Sequence, residues 1–160
     1  MPTSHAWKYY AKEDLPPYLR RRAPIGRSEV QPLDWKWRLE TVIPPAWQPN
    51  FIHDVLKAFR WLCPVEDIPD LWTLWELSNG GVFLAPVSPW KFRVNRSDRN
   101  FDELVQAETV GFLSTIFAVN WWLTEPDNMA TSNPVMGLYK QLLRFRWVHP
   151  ESAAICAVMD

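Results

Sequence analysis

Glycine is scarce in this chain, with five residues in 160. No G-x-G-x-x-G, P-loop or G-x-S-x-G motif occurs, so the glycine-dependent phosphate cradles and the strained serine elbow are excluded. Cysteine is scarcer still. Cys63 and Cys156 permit at most one disulfide, and a chain of this length can bury its own core without one, which fits reduced thiols in a cytoplasm. Neither cysteine has a Cys or His at metal-ligand spacing, and His5, His53 and His149 are far apart, so neither a metal nor a cofactor is expected. Excess charge of either sign is also missing. Seventeen basic and eighteen acidic residues leave a net charge of -1, which argues against both a broadly basic nucleic-acid binder and a carboxylate-coated mimic of DNA. The longest apolar stretch, Val110 to Leu123, is interrupted by Gly111, Ser114, Thr115 and Asn120 and is too short to span a bilayer. Met1 to Tyr10 has no apolar run that would serve as a secretion signal.

What the chain has is tryptophan and proline, eleven and fifteen residues. Eight of the prolines lie in the first fifty positions, where Pro16, Pro17, Pro24 and Pro32 forbid a long helix. Residues 1–40 carry eight basic and five acidic side chains, while residues 41–160 carry nine and thirteen. The chain therefore divides into a proline- and aromatic-rich arm, residues 1–45, and a single domain, residues 46–160. Trp7, Tyr9, Tyr10, Tyr18, Trp35 and Trp37 are too many aromatics for a solvated linker, so the arm should pack on the domain or on a partner. The Arg20-Arg21-Arg22 run reads as a solvated face, with a phosphate or acidic-partner contact as the alternative.

The domain reads as α+β, a small antiparallel sheet packed against about four helices. Ile52, Val55, Leu56 and Phe59 recur at helical spacing from about Phe51 until Pro64 stops them. Leu71, Thr73, Trp75 and Leu77 alternate as one face of a strand, and Val82 to Ala85 should return antiparallel after Asn79 and Gly80, read as a type I′ turn. Trp90 to Asn95 is the expected third strand, and Asn95 to Asn100 a polar loop. Asp102 should cap a buried helix from about Glu103 to Leu123. Thr124 to Asn133 reads as a loop. A helix from Pro134 to about Val148 follows, with Leu138, Leu142 and Phe145 on its apolar stripe. Pro150 and Glu151 should start a short last helix, Ala153 to Met159.

Chemistry is sparse. His53 and Asp54 are adjacent, but neighbours on a helix point about 100° apart and do not face each other. Cys63 before Pro64 reads as a structural thiol, with a reactive one as the alternative. His149 reads as a cap of the last helix. Trp72, Trp75, Trp121 and Trp122 fall within predicted elements and read as core. Trp35, Trp37 and Trp47 do not, and tryptophan is favoured at binding hot spots because it buries much area with few rotors. Protein contact is the first reading for these three. Base stacking beside the basic arm is the second.

Three motifs carry a resemblance. Glu76–Pro86 (ELSNGGVFLAP), Ala107–Asn120 (AETVGFLSTIFAVN) and His149–Asp160 (HPESAAICAVMD) resemble, in order, the hairpin, central helix and C-terminal blocks of the ArdB/KlcA antirestriction family. Within them Glu76, Ser78, Asn79, Gly80, Gly81, Pro86, Gly111, Asn120, His149, Pro150, Glu151 and Asp160 match the family pattern, mainly for structural reasons. The resemblance implies a bacterial cytoplasmic protein of a mobile element that blocks type I restriction-modification. It implies no enzyme, no cofactor and no DNA mimicry, and a partner among the proteins of the restriction complex. An inhibitor of another defence system on the same fold, or a nucleic-acid-binding accessory protein using the Trp-rich arm, are the alternatives.

Overall fold

The computed structural model describes residues 6–45, 47–124 and 132–160. Most of the loop expected from Thr124 to Asn133, and His5, lie outside them. In chain order the elements are β1 (Arg27–Val30), α1 (Trp35–Glu40), α2 (Gln48–Leu62), β2 (Trp72–Leu77), β3 (Val82–Pro86), β4 (Phe92–Arg96), β5 (Phe101–Val105), α3 (Ala107–Thr124), α4 (Ser132–Phe145) and α5 (Ser152–Met159). The strands form two antiparallel sheets, one ordered β1-β2-β3 and one pairing β4 with β5.

α3 lies at the centre. Val110, Phe112, Leu113, Ile116, Ala118 and Val119 are all buried, so the helix has no polar side. Two of its buried hydroxyls bond backbone: Ser114 Oγ donates to the Val110 carbonyl at 2.7 Å, and Thr115 Oγ1 to that of Gly111 at 3.0 Å. Thr115 Oγ1 also accepts from Leu84 N at 3.1 Å. That contact occupies β3 on the side away from β2, where an open strand edge would otherwise template aggregation. Gly111 makes the approach possible. A methyl group there would lie 2.3 Å from Ala85 Cα and 2.4 Å from the Leu84 carbonyl oxygen.

The α+β class, the hairpin and the helices follow the sequence closely, with four differences. The expected third strand, β4, does not join the hairpin; it pairs with β5, with Phe92 opposite Val105. β5 occupies residues expected to begin a helix, because Asn100 turns the chain in the left-handed region at φ 54° and Phe101 and Val105 bury their side chains. α3 therefore starts at Ala107, and its start is held from outside the local sequence. Glu151 Oε1 accepts from Gln106 N at 2.9 Å and from Thr109 Oγ1. Second, the hairpin turn is not type I′. Only Gly80 has positive φ (96°), Gly80 N donates to the Leu77 carbonyl and Leu77 N to that of Gly81. This is a type I turn closed by a left-handed glycine, a three-residue loop. Asn79 spends its side chain instead, accepting from Gly81 N and donating to the Gln141 carbonyl on α4 at 3.0 Å.

Third, the proline-rich arm carries a strand of its own. β1 pairs with β2, setting Arg27 opposite Leu77 and Val30 opposite Leu74, and Gly26 N donates to Ser78 Oγ. Fourth, the inner face of β2 is not the alternation read from sequence: Leu74 is fully buried, whereas Leu71 precedes the strand and is 68% exposed.

Candidate interaction surface

Proline at position 32 opens a single 3-10 turn that leads into α1. This short helix is fixed to the hairpin. Arg38 Nε donates to Glu76 Oε2 at 2.6 Å, while another guanidinium nitrogen reaches the Gly80 carbonyl at 3.1 Å. Both side chains of this ion pair are largely buried, at 13% and 8% exposure, so removing Arg38 takes away a short, poorly solvated charge contact as well as the tie to the Gly80 carbonyl. Arg38→Ala is expected to cost about 2 kcal/mol, between an exposed pair and a fully buried one. Urea denaturation would register it as a lower midpoint. An unchanged midpoint would mean that the pair does not anchor α1.

The three candidate tryptophans separate in space. Trp35 is half-buried against the core and donates Nε1–H to the Val30 carbonyl at 3.0 Å. Trp37, two positions on, turns roughly 200° around α1 and is 52% exposed. Trp47 packs its ring 4.9 Å from that of Trp122, whose Nε1 donates to Asp54 Oδ2 at 2.7 Å. Trp47 is thus part of the helical layer and does not join the other two.

Beside α1 lies an open groove of about 750 Å³. Trp35, Ile52, Leu56, Ile68, Leu71 and Trp72 give it apolar walls, and Arg60 and Asp70 add one charge of each sign. Ile52 and Leu71 are 44% and 68% exposed, and Leu33, next to the lining Pro32, is 97% exposed. Apolar concavities bordered by exposed aliphatic side chains are a common feature of interaction surfaces. Ile52 and Leu56 belong to the apolar stripe expected of α2. The core takes Phe51, Val55, Ala58, Phe59 and Leu62, and that rotation leaves Ile52 and Leu56 facing the groove. The clue in the sequence was a stripe wider than one buried face requires.

A second cluster joins the arm to the domain. Tyr10 OH donates to Glu108 Oε1, and Arg27 Nε lies 2.7 Å from the same oxygen. The Arg27 guanidinium sits 4.0 Å over the Tyr10 ring. Burial raises the Glu108 pKa, against the opposing pull of Tyr10 and Arg27, and burial likewise raises that of Tyr10. His149 meets the Tyr10 ring edge-on at 4.9 Å, is fully buried, and has its pKa pushed down by that burial to about 3. It is therefore neutral. Its Nδ1 accepts from Glu151 N at 2.9 Å and its carbonyl accepts from Ser152 N, so it caps the start of α5. These groups are packed against each other and hold Tyr10 and β1 in place.

The remaining family-pattern and candidate residues are placed as follows. Ser78, Asn79, Gly80 and Gly81 form the turn, and Pro86 ends β3 opposite Trp72. Asn120 is half-buried on α3, and Pro150 is half-buried before α5. Asp160 lies 3.9 Å from Arg146. His53 is exposed while its neighbour Asp54 serves Trp122, so they form no pair. Cys63 is buried and its thiol is pushed up to about 12, well away from a reactive thiolate. Among the described residues no three His, Cys, Asp or Glu side chains are grouped to hold a metal ion, and no helix is long and apolar enough to cross a membrane.

This arrangement, a hairpin and an arm strand over a buried central helix, defines an α+β fold that has been solved before. A solved structure of 24% identity matches it with a TM-score of 0.79, covering 88% of this chain and 98% of that one. It belongs to work on the KlcA and ArdB proteins, described as showing a novel fold and antirestriction activity against type I DNA restriction systems in vivo but not in vitro. The 12% left unmatched, about 19 residues, is shorter than the 45-residue arm, so part of the arm shares that fold. The family model for antirestriction proteins matches residues 68–160, more than half of the sequence. The chain belongs to the antirestriction protein family. Two antirestriction proteins KlcA from Escherichia coli are 30% and 28% identical to it over 89 residues. That match is 56% of this chain and 61% and 63% of theirs, so the sequence likeness spans under two thirds of either relative.

Proposed function

We propose that this protein protects DNA from type I restriction inside a bacterial cell by binding a protein component of the restriction machinery, without catalysis and without mimicking DNA. Pro32 and Trp35 of the arm, α2 and the segment before β2 together form the contact surface. The observation that carries this reading is the apolar groove beside α1, with Trp35 in its wall, together with Trp37 exposed on another side of the same helix. A tryptophan beside an open apolar pocket is the usual composition of a binding hot spot. DNA mimicry is disfavoured by the net charge of -1 and by the use of Glu76 and Glu108 in ion pairs with Arg38 and Arg27. Trp47 contributes by supporting the helical layer behind the surface.

Activity in cells but not with purified components, as described for the proteins of similar fold, is what action through a further cellular component would give. The cytoplasm, where restriction complexes meet incoming DNA, is the compartment this function requires.

Plating efficiency of unmodified phage on a restricting strain tests the proposal, with modified phage as the control. Protection should be large with the wild-type protein. Trp37→Ala should reduce it by about tenfold or more, since a hot-spot tryptophan contributes about 2 kcal/mol, while the melting temperature stays unchanged. Trp35→Ala with Trp37→Ala should abolish protection. Full protection by a stably folded double variant would remove the groove from the mechanism. No protection by abundant wild-type protein would turn the search to other defence systems.

A further inference from the structure

At the other end of β2 lies a surface of different chemistry. Residues 22–25 of the arm, the end of α4 and the turn after it enclose a cleft of about 510 Å³, lined by Arg22, Pro24, Ile25, Asn79, Arg144 and Trp147. The Arg22 guanidinium lies 5.1 Å from the centre of the Trp147 ring, and that of Arg146 lies 4.4 Å from it. The indole thus holds two cations that would otherwise repel each other.

These charges have little local compensation. Arg22 and Arg144 are exposed, and among the described residues neither has a carboxylate within salt-bridge distance. Among the described residues Asp160, at 3.9 Å, is the one carboxylate within salt-bridge distance of Arg146, and Arg146 Nε is buried with no hydrogen-bond partner. A smaller adjoining cleft shares Arg22, Pro24 and Ile25 and adds Lys12 and Arg20. In a chain of net charge -1, this is a local concentration of guanidinium groups around an apolar floor.

We propose that this cleft docks an acidic segment of a protein partner, with carboxylates on Arg22 and Arg144 and an aliphatic side chain between Ile25 and Pro24. Guanidinium forks bind carboxylates in bidentate geometry, and Pro24 and Ile25 supply the apolar contact that distinguishes a peptide from a free anion. A nucleic acid fits less well. Two cations already lie against the Trp147 ring and leave little face for a base to stack on, and the cleft is too small for a run of phosphates. The surface is independent of the groove beside α1. Trp72, in the groove, and Asn79, in the cleft, are separated by the length of β2, about 20 Å.

The test is fluorescence polarisation with the full chain and three labelled probes: a ten-residue peptide alternating glutamate and leucine, the same peptide with lysine for glutamate, and a ten-nucleotide single-stranded DNA. The acidic peptide should bind and weaken with salt, and the lysine peptide should not bind. Arg22→Gln with Arg144→Gln should weaken acidic-peptide binding by about tenfold. Both side chains are exposed, so circular dichroism should show an unchanged fold. Lys91→Gln with Arg99→Gln, which removes the same charge elsewhere, and Trp37→Ala should leave binding unchanged. Equal weakening by both charge variants, no peptide binding, or DNA binding tighter than peptide binding and lost in Arg22→Gln with Arg144→Gln would each overturn the proposal.

Discussion

Gly111→Val should leave no cooperative unfolding transition, while Gly137→Ala should raise the melting temperature. Both glycines lie in helices, and sequence alone treats them alike. At Gly111 even a Cβ would stand 2.3 Å from Ala85 Cα, where ordinary contact begins at 3.4 Å. The obstacle is backbone, so no rotamer change relieves it. α3 would have to lift by about 1 Å and would lose the Thr115 contact with Leu84. Gly111→Ala alone should cost about 3 kcal/mol, at the upper end of overpacking in cores, lowering the melting temperature by roughly 6–12 °C. Valine adds two further methyl groups and should exhaust a stability of about 5–15 kcal/mol. At Gly137 nothing lies within 4 Å of an added Cβ, so alanine gains helix propensity of about 1 kcal/mol. A Gly111→Ala protein with a wild-type melting curve would show that α3 does not rest on β3 as described.

The fold should also weaken steeply in mild acid, and His149 should be the cause. Its folded pKa of about 3 lies below the 6.5 of an exposed imidazole. Below pH 6.5 the unfolded chain takes up a proton that the folded protein refuses. The contribution of His149 is therefore fully present above pH 6.5 and is lost as the pH falls from 6.5 towards 3, reaching about 5 kcal/mol at the limit. Glu108 works in the opposite sense. Its pKa is raised, so its contribution is present in acid and lost as the pH rises through the folded value, which tempers the slope at its acid end. Urea midpoints at about pH 7 and about pH 5 should differ strongly for the wild type and much less for His149→Asn. Equal slopes in the two proteins would place the acid sensitivity elsewhere.

The parts of this fold that depend on local residues could be read from them. Pro134, the stripe of Leu138, Leu142 and Phe145, and the all-round apolar run from Val110 each specify a helix within a few turns. The hairpin was legible because Asn79 and Gly80 sit between two apolar runs, although its turn type was not: the demand of α4 on the Asn79 side chain decided that. β1, β5 and the start of α3 were not legible. β1 is a strand only because β2 lies beside it, and α3 begins at Ala107 because Glu151 reaches back 45 residues to Gln106. Trp35 and Trp37 were found as candidates by their excess over structural need. The groove that Trp35 borders was missed, since Ile52 and Leu56 look like ordinary core positions until the helix is rotated against its neighbours.

The contacts around the first turn of α3 also bear on how the chain reaches its native state. Glu108 is met by Tyr10, 98 positions earlier, and Thr109 by Glu151, 42 positions later. Pairings so distant in sequence slow folding, because the intervening chain must be ordered before they form. During synthesis at about 5–20 residues per second, the central helix waits some seconds for Glu151 to emerge from the ribosome. Until then its most apolar segment is without its final cap, so chaperone attention and proteolysis should concentrate on that interval.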